Sequence, residues 1–325
     1  MEITAIIPVY NAASTIQTAL ESLFSQTSCH WRAICIDDGS SDNSQEVIKS
    51  FMAKGNRISL IEQENSGPSV ARARAISLAE TEYVAILDAD DYWACDYVEK
   101  MLDAADRTQA DILVPDVMEY DEKGIRNIPS LFTRMSEKPG MIIEDGKKGF
   151  ELSLDWHLHG WPVLKTSFAK KYYTISEVEY SKFNADEFMA RLLYLKSSKT
   201  FLCDTFYYYR ICNASLTRSV SLKRVDSVIT MYKVTELAIK NGISLNIVGG
   251  LFQATLSTMV VMLRFSRKLI CKERKVAYAI VKGNYLELRN MFSIRYLQSV
   301  SWGRRIKLIF LLSDFTMLKL YAQLR

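Results

Sequence analysis

The feature that most constrains the fold is an alternation of two hydrophobic periods through the first 120 residues. The runs ITAIIPVY, WRAICID, RISLIEQE and YVAILD are almost continuously apolar and read as buried strands. Between them, STIQTALESLFSQ, SSDNSQEVIKSFMAKG and SGPSVARARAISLAE carry their apolar residues at helical spacing. Ser14 is placed to cap the first helix, Gly55 to close the second and Pro68 to open the third. Strands that alternate with short helices predict a mostly parallel sheet joined by right-handed crossovers. In such sheets ligands bind beyond the carboxyl ends of the strands. Asp37, Asp38, Asp88, Asp90 and Asp91 all fall at those ends.

The rest of the chain is read the same way. CDYVEKMLDAADRT predicts a helix and ADILVPDVMEYD a strand. Residues 121–160 predict loops with a short helix near Gly149–Leu154. NADEFMARLLYLKSS predicts a helix and TFLCDTFYYYRI a strand. From Leu222 onward only helical spacing is found, at 222–240, 250–270, 274–292 and 303–324.

The run LDADD places three carboxylates within four positions at the end of a core strand. Like charges this close repel unless something neutralises them. A hard divalent cation such as Mg²⁺ or Mn²⁺ would do so, because it takes carboxylate and phosphate oxygens together. A solvated acidic turn would show the same letters. In IDDGSSDNS, Asp42 reads as a helix cap, whereas Asp37 or Asp38 directly follows a core strand and could accept the imide N–H of a uracil ring. In GPSVARARA, Arg72 lies near a helix start, where a positive charge opposes the macrodipole, so it reads as partner to an anion or to the acidic cluster.

AIIPVYNAASTIQTALESLFSQ, IDDGSSDNS, NSGPSVARARAIS and YVAILDADDYW, in this order and spacing, resemble the inverting family 2 glycosyltransferases with the GT-A fold. NADEFMARLLYLKS is similar to that family's "ED" helix, and YYYRICNASLTR to a later segment of it, so the resemblance covers about residues 3–218. It implies an α/β GT-A domain, a Rossmann-like, mostly parallel sheet flanked by helices, with an α-helical C-terminal extension. The expected domains are 1–220, with a nucleotide-sugar half (1–120) and an acceptor half (121–220), and a basic helical region at 221–325. It further implies Mn²⁺ or Mg²⁺ as cofactor, a UDP-linked donor and a lipid-linked or lipopolysaccharide glycan as acceptor. Asp90 would bind the metal, with Asp88 on the ribose or a metal-bound water. Pro8, Tyr10 and Asp38 or Asp37 would hold the base. Arg72, Ala89 and Arg210 would complete the nucleotide-sugar site, with Ser215 near the diphosphate or acceptor. The base that deprotonates the acceptor would be Glu187 or Asp186. Their order is reversed from the family pattern, and Asn184 with Glu187 also has the spacing of a helix capping box. A processive polysaccharide synthase and a catalytically silent sugar-binding module are the alternatives. The first normally carries membrane spans and a QxxRW motif, which QSVSW at 298–302 does not match.

Charge bears on the tail. The chain carries +4 overall, but residues 260–325 hold 14 basic and 3 acidic residues, a net +11, leaving −7 on the rest. Such asymmetry predicts contact with an anionic surface. WGRRIKLIFLLSDFTMLKLYAQLR reads either as a basic amphipathic helix in a membrane interface or as a helix packed on the domain. No nucleic-acid motif accompanies the charge, so no nucleic-acid partner is expected. The apolar stretches at Leu251–Leu263 and Leu308–Leu318 are shorter than a bilayer requires, so no membrane span is expected. No signal peptide is read, since Glu2 stands where a basic segment would begin. The six cysteines form no CxxC pair and predict reduced thiols. Together these give a cytoplasmic protein, peripheral on the inner face of the cytoplasmic membrane.

Overall fold

The computed structural model describes residues 1–211, 220–298 and 302–323. Ten strands form one sheet. They are β1 (Ile3–Val9), β2 (Trp31–Asp37), β3 (Ile58–Glu62), β4 (Tyr83–Ile86), β5 (Tyr92–Trp93), β6 (Ile112–Asp121), β7 (Gly124–Ile125), β8 (Ile142–Ile143), β9 (Val163–Lys165) and β10 (Thr200–Arg210). The order is β3-β2-β1-β4-β9-β6-β10-β5, with β7 on β6 and β8 on β10. The first four strands are parallel, as the alternation of periods predicts. β6 and β10 are also parallel, while β9 runs antiparallel between β4 and β6.

The helices of this half are α1 (Ile16–Phe24), α2 (Ser44–Met52), α3 (Pro68–Leu78), α4 (Tyr97–Thr108), α5 (Leu131–Met135), α6 (Gly146–Leu154), α7 (Thr166–Tyr172), α8 (Ile175–Val178) and α9 (Ala185–Lys196). α1 buries Ile16, Leu20 and Leu23, the stripe that its spacing predicts. Burying such a side chain contributes roughly 1.5–3 kcal/mol. Together with Ile3, Ala5, Ile7 and Val9 of β1 they fill one face of the sheet.

Two local expectations are corrected. α1 begins at Ile16 after Thr15, one residue beyond the expected cap Ser14. Gly55 lies past the end of α2, and the helix closes at Ala53 in ordinary right-handed geometry, so no left-handed glycine is needed there.

The chain divides into two compact units. One comprises Met1–Lys182 and Met189–Asn213; the other comprises Phe183–Phe188 and Ala214–Arg325. Among its described residues the second unit is built of helices. It contains α10 (Asp226–Lys240), α11 (Leu245–Phe265), α12 (Cys271–Met291), α13 (Trp302–Ser313) and α14 (Phe315–Gln323). α11 is its core helix and buries Val248, Leu251, Phe252, Leu256 and Met259. Phe252 stacks on Tyr296 at 5.5 Å, and the Tyr285 hydroxyl donates to the Leu311 carbonyl (3.0 Å).

The expectation that no segment reaches spanning length is also corrected. Leu245–Lys268 is long and apolar enough to cross a membrane by length and composition, with a mean hydropathy of 1.5. Half of that window is buried inside the protein, as in the core helix of a helical unit. The sequence reading missed it because Asn246 and Gly249–Gly250 interrupt the apolar letters but not the helix.

Candidate active site

The carboxyl ends of β1, β2 and β4 bring the predicted acidic residues together. At the end of β2 the carboxylates are filled by the protein. Asp38 accepts the Ser66 N–H and the Gln63 amide on one oxygen (2.7 Å each) and the Gly67 N–H on the other (2.8 Å). Asp37 accepts from Ser40 N–H (3.3 Å) and the Gln45 amide (2.8 Å). Both are almost fully buried. Asp42 takes the Ser44 and Ala13 N–H groups (3.0 Å each), capping α2 from one position before Asn43. Asn11 follows β1 in the left-handed region (φ 49°), and its amide oxygen accepts the Ser41 N–H (2.8 Å). These bonds lock the loops after β1 and β2 together. Gly67 completes the lock: its φ is 93°, and a β-carbon there would meet the Lys182 backbone at 3.0 Å. Pro8 lies within β1 and Tyr10 just past its end, where Tyr10 is exposed.

At the end of β4 the three carboxylates have three different surroundings. Asp88 is clamped: the Arg72 guanidinium donates to one oxygen and the Trp161 indole N–H to the other (2.9 Å). Arg72 is itself buried on α3, so this ion pair is held away from bulk water. Asp91 is a buried brace. It accepts the Tyr207 hydroxyl (2.7 Å) on one oxygen and the Arg210 N–H (2.8 Å) on the other. Tyr207 in turn accepts the Asp88 N–H (3.1 Å), so β10 fixes the turn that carries all three acids. Burial, then Asp88 and Asp90, push the Asp91 carboxyl well above the usual carboxylate range.

Asp90 differs from both. Its carbonyl accepts the Tyr120 hydroxyl, which sets the backbone. No hydrogen-bond donor from another described residue reaches its carboxylate. Burial first, and Asp88 second, raise its pKa above the usual carboxylate value, against a weaker opposing effect of Arg210 and Arg72. A partly buried carboxylate with a like charge beside it is stabilised by an arriving cation. Asp90 with its neighbour Asp88 therefore fits a hard divalent ion. Among the described residues no group of three or more His, Cys, Asp or Glu side chains could enclose a metal alone. Mg²⁺ and Mn²⁺ bound beside a nucleotide need only one or two protein carboxylates, with phosphate oxygens and water completing the shell.

Three contributors escaped the sequence reading. Trp161 lies 73 positions from the Asp88 that it binds, and stacks on Tyr207 at 5.2 Å. Tyr207 stood inside the YYYR segment, where strand alternation turns it inward. His159 supports Trp161 by accepting its N–H on Nδ1 (3.1 Å), while Nε2 bonds the Pro115 carbonyl (2.7 Å). Burial lowers the pKa of His159 to about 4, so it is neutral and structural at ordinary pH. Arg210 ends β10, and its backbone is tied to the acidic turn. Asp186 and Glu187 stand in the first turn of α9, in the second unit. Ser215 lies outside the described residues.

This arrangement can be set against known proteins. The sequence model of glycosyl transferase family 2 matches residues 4–158, the segment that carries β1 to β4 and the acidic turn. Over those residues the chain matches glycosyl transferase family 2. Glycosyltransferase GlyA of Streptococcus pneumoniae is 29% identical over 227 residues, 67% of this chain and 32% of that protein. A poly(ribitol-phosphate) beta-glucosyltransferase of Bacillus spizizenii is 28% identical over 216 residues, 65% of this chain and 32% of that protein. The matches thus span about a third of the length of these two relatives. Among solved structures, residues 1–349 of S. aureus TarS in complex with UDP-GlcNAc superpose with a TM-score of 0.69 at 18% identity, covering 99% of this chain and 89% of that one. The fold is thus the GT-A fold with helices following it.

Proposed function

We propose that this glycosyltransferase moves one sugar from a UDP-linked donor to a glycan of a cell-surface polymer, with inversion at the anomeric carbon and with Mn²⁺ or Mg²⁺ bound. The observation that carries the reading is Asp90: a partly buried carboxylate at a strand end, beside a clamped Asp88, with no donor from another described residue. When bound, the metal would neutralise charge on the leaving diphosphate. Asp90 would hold it, and Asp88, fixed by Arg72 and Trp161, would stand beside it for the ribose or a metal-bound water. The Ala89 backbone borders the same turn, and Arg210 adds positive charge near the diphosphate. Pro8, Tyr10 and the loop braced by Asp37 and Asp38 form the base-binding wall.

The acceptor hydroxyl loses its proton to Glu187 or Asp186, an assignment that rests on the sequence motif. The attacking oxygen then enters opposite the leaving group, and no covalent enzyme intermediate is required. The UDP-GlcNAc complex of TarS supports UDP and an N-acetylhexosamine as the first donor to try. The poly(ribitol-phosphate) relative supports an acceptor on a cell-surface polymer, and a lipid-linked glycan suits the same reading.

The test is a donor panel read by thermal shift: UDP, GDP and TDP and their sugars, each with and without Mn²⁺. A ligand that binds only the folded state raises the melting temperature. A metal-dependent rise with UDP compounds is the expected outcome. No shift with any nucleotide would overturn the donor-site reading.

A further inference from the structure

We propose that the outer face of α13 seats this protein on an anionic lipid surface. α13 is apolar on two sides. Leu308, Leu311 and Leu312 point inward and are buried within the helical unit. Trp302, Ile306, Ile309 and Phe310 are 76%, 49%, 45% and 50% exposed. At about 100° per residue these four share one arc of about 100°, the width of an apolar stripe that normally faces a core. The inner face is explained by packing; the outer face is not.

Charge selects the occupant. On the same projection Arg305 and Lys307 border the exposed stripe on either side, and Arg304 follows further round. α13 contains no acidic residue. Arg305 donates to the Gln298 carbonyl and Lys307 lies over the Tyr321 ring at 4.8 Å. Arg304 is exposed in the first turn, where a cation opposes the helix dipole, and suits an external anion. A second copy of this chain would bring two regions of +11 together, which like-charge repulsion disfavours. An anionic membrane matches both the stripe and its borders, with Trp302 at the headgroup level that tryptophan favours. With 12 residues, or about 18 Å of helix, α13 lies in the interface and does not span it. The inference is independent of the donor site and fails or stands separately from it.

The experiment is co-sedimentation of the full chain with phosphatidylcholine vesicles, with and without phosphatidylglycerol. Binding is expected only where phosphatidylglycerol is present, and should weaken as salt is raised. The double variant Ile306→Asp, Phe310→Asp should lower the partition coefficient at least about tenfold. Both positions are exposed, so its melting temperature should stay that of the wild type. Arg304→Gln with Lys307→Gln should remove the preference for phosphatidylglycerol while leaving the apolar stripe intact. Equal sedimentation with both vesicles, sedimentation with neither, or a lipid-free dimer that the double variant dissolves would overturn the proposal.

Discussion

Two acidic clusters end the strands on either side of β1, and they differ in what fills them. After β2, Asp38 takes two backbone N–H groups and an amide, and Asp37 takes one of each. After β4, Asp88 and Asp91 are likewise filled, but Asp90 is left to repel its neighbours. The same residue type at the same edge of one sheet therefore does two jobs. A carboxylate saturated by protein donors is a brace, and its loss should be felt in stability. A partly buried carboxylate without such donors is held ready for a ligand, and its loss should be felt in turnover.

The largest expected effect follows from that contrast. Asp90→Asn should lower turnover by about 10²–10³-fold or more, the scale of losing one electrostatic stabiliser of developing charge. Because it removes like-charge repulsion, it should leave the metal-free melting temperature unchanged or slightly raised. Donor turnover and thermal melting on the same preparation check both halves. Asp91→Ala should do the reverse. It leaves the Tyr207 hydroxyl and Arg210 N–H buried without an acceptor, at about 2–4 kcal/mol of stability, read by urea denaturation.

His159 sharpens the comparison through pH. Its folded pKa, about 4, lies below the usual 6.5, so the unfolded chain binds its proton first. Stability is complete above about pH 6.5 and falls as pH drops towards 4, by up to about 3 kcal/mol. Denaturation across that window should show the slope, and His159→Gln should flatten it.

Two smaller effects test the braces. Asp38→Asn should cost about 1–2 kcal/mol, since an amide can accept on one side only, and should leave metal binding in place. Trp161→Phe keeps the stacking on Tyr207 but loses the hydrogen bond to Asp88. About tenfold in turnover is expected, equivalent to about 1.4 kcal/mol. A Trp161→Phe enzyme of wild-type rate would show that Asp88 needs no clamp.

Much of this was legible from the letters because it is local. β1 to β4 are long apolar runs, and the helices between them bury the stripes that their spacing predicts. That placed Asp37, Asp38, Asp88, Asp90 and Asp91 at one sheet edge before any coordinates. What could not be read is what the acids touch. Three-residue β9 has no period of its own and takes its place between β4 and β6 by pairing with both. Trp161, just before it, reaches Asp88 only through that insertion. Tyr207 meets Asp91 across 116 positions of sequence. Such contacts set which carboxylate is filled and which is not, and no spacing rule encodes them. In the second unit α13 packs through one face, as one of the tail's two readings expects, and leaves another apolar face exposed.

The most direct test of the central claim is Mn²⁺ binding followed by electron paramagnetic resonance, in the presence of UDP, on the wild type, Asp38→Asn and Asp90→Asn. Bound Mn²⁺ loses the sharp signal of the free ion. The account predicts UDP-dependent loss of that signal in the wild type and Asp38→Asn, and its persistence in Asp90→Asn. Undiminished Mn²⁺ binding by Asp90→Asn would contradict it.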